Sequence, residues 1–186
     1  IITLFEDLWE FSIERTHSDG AKNYFLGCVV SYEENGERQI IDGQQRITSL
    51  FLLLRAVFSM LEKEDNKTDE VNNFIQKIKP ALWKENEMTG KEVLTDSGNL
   101  ILRNILESGE ADKNAKDNYS KNYNKFKELY IQKSQSSPNQ IYHFVLALLS
   151  YSILLPITAD DQETALTIFN TLNNRGLPLS DADIFK

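Results

Sequence analysis

The chain has 186 residues, 41% hydrophobic and 26% charged, with a formal net charge of −8. Those values fit one globular domain with a sizeable core. They exclude a membrane-spanning segment, because no apolar run approaches the roughly 20 residues a span needs, and they disfavour a uniformly basic DNA-binding surface.

Thr3-Leu4-Phe5-Glu6 has the form of a capping box, and Leu4, Leu8 and Phe11 follow at helical spacing, so residues 4–16 are predicted helical. His17–Gly20 reads as a loop. Tyr24–Tyr32 is rich in β-branched and aromatic residues and reads as a strand, with Cys28 a buried thiol within it. Glu33-Glu34-Asn35-Gly36 supplies a turn and Arg38–Ile41 a returning strand, which together make a hairpin. Residues 44–62 carry the clearest helix, with Ile47, Leu50, Phe51, Leu54, Val57, Phe58 and Leu61 on one stripe. Leu52 and Leu53 widen that stripe, so this helix is expected to be covered on two sides.

A second helix over 68–79 is expected to end at Pro80. Ala81–Trp83 and Val93–Leu94 read as short strands around a loop at Lys84–Gly90. A helix with an Asp96 cap carries Leu100, Ile101 and Ile105 up to Glu107. The polar run Asp112–Tyr119 reads as a linker or as the frayed start of the next helix, whose apolar face is Tyr123, Phe126, Leu129 and Tyr130. Those aromatics, with Tyr119, could suggest base stacking, but at helical spacing they are expected in a core. Pro138 suits a first helical turn, and Ile141, Phe144, Val145 and Leu148 continue that helix. Ser152–Ile157 reads as a buried strand. Asp160 with Glu163 is a capping pair for a helix bearing Ala165, Phe169 and Leu172. Asn173–Pro178 is a turn, and Ser180 and Asp183 cap a last helix.

The pattern predicts an α+β fold: a small sheet with a hairpin and a long helix, then a mainly helical extension. The division expected is a core at 1–66 and an extension at 67–186 packed on it, with a strand near 152–157 returning to the sheet. The missing initial Met and an ending inside a helix start read as cuts from a larger protein. With one cysteine there is no internal disulfide, and no Cys/His cluster has metal-ligand spacing, so no structural metal is expected. The absence of a basic leader and cleavage site points to the cytoplasm.

The stretch that carries chemistry is Ile40-Ile41-Asp42-Gly43-Gln44-Gln45-Arg46. An apolar strand ends in Asp-Gly and passes at once into a strong helix. A helix N-terminus presents unpaired N–H groups and partial positive charge to an anion. Gly43 lets the backbone approach a ligand. Arg46, in the first turn, can fork onto phosphate oxygens. Gln44 and Gln45 can position a water or a base edge. Asp42 can hold a metal-bound water or a ribose hydroxyl. On spacing alone, the same residues read equally well as a turn with a helix cap and a solvated arginine. Two consecutive glutamines between Asp-Gly and Arg are unusual for a mere turn.

Asp42-Gly43-Gln44-Gln45-Arg46, preceded by Phe25-Leu26-Gly27 and a hairpin and followed by Thr48 and Leu50, resembles the D-G-Q-Q-R motif of GmrSD-type modification-dependent restriction enzymes. A second segment, Ile168-Phe169-Asn170-Thr171-Leu172-Asn173-Asn174-Arg175-Gly176-Leu177-Pro178-Leu179-Ser180, is similar to that family's F-x-x-L-N-x-x-G-x-x-L-S. The family in turn resembles the ParB/sulfiredoxin-like nucleotide-binding fold. The resemblance implies that Asp42, Gly43, Gln44, Gln45 and Arg46 bind and hydrolyse a nucleoside triphosphate, GTP or ATP, with Mg²⁺, for which Asp42 is the candidate ligand. It implies regulation of a nuclease carried elsewhere, in a restriction or anti-phage system that acts on modified DNA through the full-length protein. The alternative is a module that binds nucleotide or DNA phosphate without turnover.

The family's usual opening strand, I-P-x-Y-Q-R-x-Y-x-W, is not present in this sequence, and neither is a His-Asn-His nuclease motif. His17 and His143 stand alone, and His143 reads as packed or solvated. DNA cleavage is therefore not expected of this chain. Asn173 reads first as part of a helix exit and second as a side chain that reaches the nucleotide. The partners implied are a nucleoside triphosphate, DNA, a nuclease domain or subunit, and a second copy of the chain, with no membrane.

Overall fold

Asn35 and Gly36 both take positive φ, 54° and 79°, which is the twist a tight hairpin turn requires. They join β1 (Tyr24–Glu34) to β2 (Glu37–Asp42) as the antiparallel pair expected from the sequence. β5 (Ser152–Ala159) lies on the other side of β1, so the mixed three-stranded sheet has the order β2-β1-β5. The register of the hairpin slips where Val30 opposes Asp42 and Ser31 opposes Ile40. Ile41 is thus an extra residue, a β-bulge one position before Asp42.

The computed structural model describes residues 1–17, 22–65, 67–84, 87–88 and 100–175. They fall into two compact units, one of residues 1–25 with 45–153, the other of 26–44 with the described residues from 154 onward. The fold is of the α+β class. No helix among the described residues is long and apolar enough to cross a membrane.

In the smaller unit, Val30, Tyr32, Ala159 and Ala165 form a buried cluster, with Ile41, Ile157 and Ile168 against it. α7 (Gln162–Arg175) supplies Ala165 and Ile168 and packs on β2. Its cap is Asp161 and not Asp160. The Asp161 carboxylate accepts from the Thr164 N–H at 2.7 Å because it stands immediately before the first helical residue. β5 is not the buried strand expected: Ile153 and Leu155 are 43% and 47% exposed. Cys28 is half-buried on β1 instead of buried.

The larger unit is helical. α1 (Ile2–Thr16), α2 (Gln44–Glu62), α3 (Asp69–Leu82), α4 (Leu100–Ser108), α5 (Asn118–Ser136) and α6 (Pro138–Leu146) build one core. α6 continues as a π-helical turn at Ala147–Tyr151. Phe5, Phe126 and Phe144 meet at its centre, with ring centroids 4.7 Å apart for Phe5 and Phe144. Tyr123, Phe126 and Tyr130 are buried here, which places them in the core and not on a stacking surface. As expected, Leu52 and Leu53 are fully buried alongside Val57 and Leu61, so α2 is covered on more than one side.

Two helix ends of this unit differ from expectation. Thr3 and Glu6 do not cap α1, because the helix already starts at Ile2 and Phe5 N–H donates to Ile1 O. Glu6 instead accepts from Lys133 Nζ at 2.7 Å. α3 runs two residues past Pro80, to Leu82, so Ala81 and Leu82 are helical and not extended. Proline forfeits the bond its own nitrogen would make and crowds the carbonyl one turn back. Burial of Leu82, one turn after Ile78, offsets that loss. α5 starts at Asn118 behind an Asp117 cap that accepts from Ser120 N–H. After α3 a short hairpin pairs β3 (Trp83–Lys84) with β4 (Glu87–Met88). The expected strand at Val93–Leu94, the Asp96 cap, and the segment Gly176–Asp183 lie outside the described residues.

Arg55 interrupts the apolar stripe of α2 and is only 5% exposed. Its Nε donates to Leu106 O at 2.8 Å and Nη1 to Ser59 Oγ at 2.6 Å. Ser59 Oγ lies 2.9 Å from the Tyr123 hydroxyl, which donates to Gly109 O at 2.7 Å. Phe58 and Trp83 flank the guanidinium carbon at 5.3 and 5.5 Å. Burial lowers the Arg55 pKa, and Tyr123, Glu62 and Glu110 act in the opposite sense. A buried charge that lacked these acceptors would cost several kcal/mol, so the chain α2–α4–α5 is tied together at this point.

Gly109 has φ +70°, and a Cβ there would lie 2.3 Å from Arg55 Nη2. Gly109→Ala is therefore expected to lower unfolding free energy by about 2–4 kcal/mol. Tyr123→Phe, which strands Ser59 and Gly109 O, is expected to cost about 1–3 kcal/mol. Urea denaturation measures both; wild-type midpoints would remove the network from its structural role.

Candidate functional site

Asp42 ends β2, Gly43 follows, and α2 begins at Gln44 with no loop between strand and helix. Such a passage needs an abrupt change of backbone direction. Gly43 supplies it with φ +97°, a conformation that side-chain-bearing residues rarely adopt. The bulge at Ile41 breaks the strict alternation of facing just before Asp42. Bulges of this kind re-aim a side chain at the end of a strand.

Gly43 is buried, Asp42 and Arg46 are half-buried, and Gln44 and Gln45 are exposed. Gln44 Nε2 donates to Ile40 O at 2.9 Å, which folds that side chain back along β2. Its Oε1 and second N–H remain to meet a ligand. Gly43, directly before the helix, has no side chain with which to cap the first N–H groups of α2. Those N–H groups and the positive end of the helix dipole are what an anion would find. The side-chain set adds one guanidinium, two carboxamides and one carboxylate within five consecutive residues.

Asn173, the sixth residue singled out in the sequence, is exposed near the end of α7, the helix that packs on β2. No hydrogen bond among the described residues joins it to Asp42–Gln44. The five motif residues are joined by chain continuity. Gly176, Pro178 and Ser180 of the second motif lie outside the described residues.

Among the described residues no three His, Cys, Asp or Glu side chains cluster as a metal site. A Mg²⁺ ion carried by nucleotide phosphates needs only one or two protein carboxylates, with waters completing its shell. Asp42 fits that smaller requirement.

The Asp42–Arg46 segment is thus a strand–glycine–helix junction on an α+β scaffold. The whole chain, residues 1–186, matches the family model described as the GmrSD restriction endonuclease N-terminal domain, and it belongs to that family. It is thus a domain of a restriction-system defence protein. No curated protein matches it in sequence.

The sequence pointed to the junction but missed the bulge at Ile41, since a slip in strand register leaves no mark in apolar alternation this short. It also passed over Arg15 and Tyr151, whose stacking joins residues far apart in sequence. Gly43→Ala is expected to destabilise the fold by about 1–3 kcal/mol, because alanine at φ +97° is strained. A chemical-denaturation midpoint equal to that of the wild type would show that the junction relaxes without its glycine.

Proposed function

We propose that the Asp42–Arg46 junction binds a nucleoside triphosphate with Mg²⁺ and hydrolyses it, and that this step regulates a nuclease acting on modified DNA. The observation that carries the reading is Gly43: its positive φ delivers a strand end straight into a helix whose first N–H groups have no side-chain cap from that position. Family membership supports the same reading, since the motif sits in a restriction-system domain.

In this reading, the backbone N–H groups at the start of α2 donate hydrogen bonds to phosphate oxygens. Arg46 forks onto the phosphate, where charge grows as the bond to the leaving group breaks. Gln45, exposed in the first turn, orients the attacking water. Gln44, held by Ile40 O, keeps the junction rigid and offers its remaining polar atoms to the ligand. Asp42 would hold the metal ion carried by the nucleotide. When bound, Mg²⁺ neutralises phosphate charge. DNA contacts and the nuclease belong to other parts of the full-length protein.

The test uses GTP and ATP with Mg²⁺, and follows both binding by calorimetry and release of inorganic phosphate. Arg46→Ala is expected to weaken nucleotide binding by about tenfold or more, the worth of a charge-assisted fork. Gln45→Ala is expected to keep binding and lose at least about tenfold in turnover, as for a water-positioning residue. A Gln45→Ala protein that hydrolyses at the wild-type rate contradicts the assigned role. Binding with no product in the wild type would favour a non-hydrolysing module.

A further inference from the structure

Helical spacing sets Ser12, Arg15 and Thr16 on one face of α1, and His143 and Leu146 on one face of α6. The two helices pack together, and with Tyr151 these residues line a cavity of about 370 Å³. That volume falls in the usual small-ligand range of about 300–1,000 Å³. Among the described residues that line it there is no carboxylate, although the chain carries a net charge of −8.

Arg15 is fixed before any ligand arrives. Its guanidinium carbon lies 3.2 Å from the centroid of the Tyr151 ring, and Nη1 donates to Lys22 O at 2.6 Å. The ring sets the plane of the guanidinium and the carbonyl sets its rotation, so the remaining donors form a preorganised fork. Tyr151 is the last residue of the π-helical turn Ala147–Tyr151. A π turn takes in an extra residue, which displaces the chain that follows it. Such turns are rare and gather at functional sites.

The two aliphatic hydroxyls are already engaged. Ser12 donates to Trp9 O at 2.6 Å and accepts from Gln140 Nε2 at 3.0 Å. Thr16 donates to Ile13 O at 2.6 Å. Arg15, the Tyr151 hydroxyl and the exposed His143 are then the groups that can meet a ligand. A planar carboxylate is satisfied by the guanidinium fork alone. A fork together with a second donor from another helix suits a tetrahedral oxyanion, and Leu146 gives an organic substituent an apolar wall. A pocket whose described lining holds one arginine and one histidine is also unlike the lysine- and arginine-lined strip that follows a DNA backbone.

We propose that this pocket binds a small organic phosphate monoester, with Arg15 forked onto the phosphate and His143 donating a further hydrogen bond. This site is separate from the Asp42–Arg46 motif and does not depend on the function assigned there. Calorimetric titration with inorganic phosphate, AMP and acetate tests it, on the whole chain and on the chain carrying Arg46→Ala. AMP is expected to bind more tightly than phosphate, and phosphate more tightly than acetate, and on the Arg46→Ala chain the binding that depends on Arg15 and His143 is expected to persist. Arg15→Gln and His143→Gln are each expected to weaken AMP binding by about tenfold. The exposed His143 variant should keep the wild-type thermal midpoint, so its lost affinity reports the site and not unfolding. The proposal is overturned if AMP does not bind, if acetate binds as well as phosphate, if His143→Gln binds AMP normally, or if Arg46→Ala alone abolishes binding.

Discussion

One backbone angle governs the candidate site. Gly43 at φ +97° turns the end of β2 into the start of α2 without an intervening loop. A side chain at that position would force either a longer connection or a strained one. With glycine there, the motif residues on both sides occupy a span of five positions and share one short piece of backbone. The helix they lead into is well anchored, because Leu52, Leu53, Val57 and Leu61 are fully buried further along it. The first turn is thus the accessible end of an element whose remainder is fixed by packing, which suits a site whose donors must be in place before the ligand arrives.

The same helix carries the costliest feature of the core. Arg55 is buried where a leucine would satisfy the apolar pattern, and it is compensated by Leu106 O, Ser59 and, through Ser59, Tyr123 and Gly109. A polar network of this kind stabilises only when every member is satisfied. It joins three helices through directional bonds, where apolar packing alone would tolerate sliding. Lys133 makes a comparable link closer to the surface, with Glu6 at 2.7 Å and the Trp9 ring at 5.1 Å.

Much of this was legible from residues alone. The Asn35-Gly36 turn, the hairpin and the span of α2 follow from positive-φ chemistry and a stripe of apolar residues long enough to be unambiguous. So does the junction motif, because Asp-Gly-Gln-Gln-Arg has an unusual composition at a strand–helix boundary. The misreadings have local physical causes. Pro80 was expected to stop α3, but burial of Leu82 carried the helix past it. Thr3 and Asp160 have the composition of caps, yet backbone bonding begins elsewhere, so Ile1 and Asp161 precede the helices. The strand over Ser152–Ala159 is apolar in composition but half-exposed, since composition does not reveal which face another element covers. The pocket of Arg15, His143 and Tyr151 left no sequence signal at all. Its parts lie on α1, α6 and a π turn, and single-sequence periodicity is blind to both tertiary stacking and π geometry.

Backbone amide chemical shifts report the central claim most directly, because the phosphate contacts proposed at the junction are made largely by N–H groups. On titration with GTP or ATP in the presence of Mg²⁺, the amides of Gly43, Gln44, Gln45 and Arg46 are expected to move further than those elsewhere on α2, and to saturate together. If nucleotide binds while these four amides stay in place, the strand–helix junction is an ordinary corner and the chemistry lies elsewhere in the molecule.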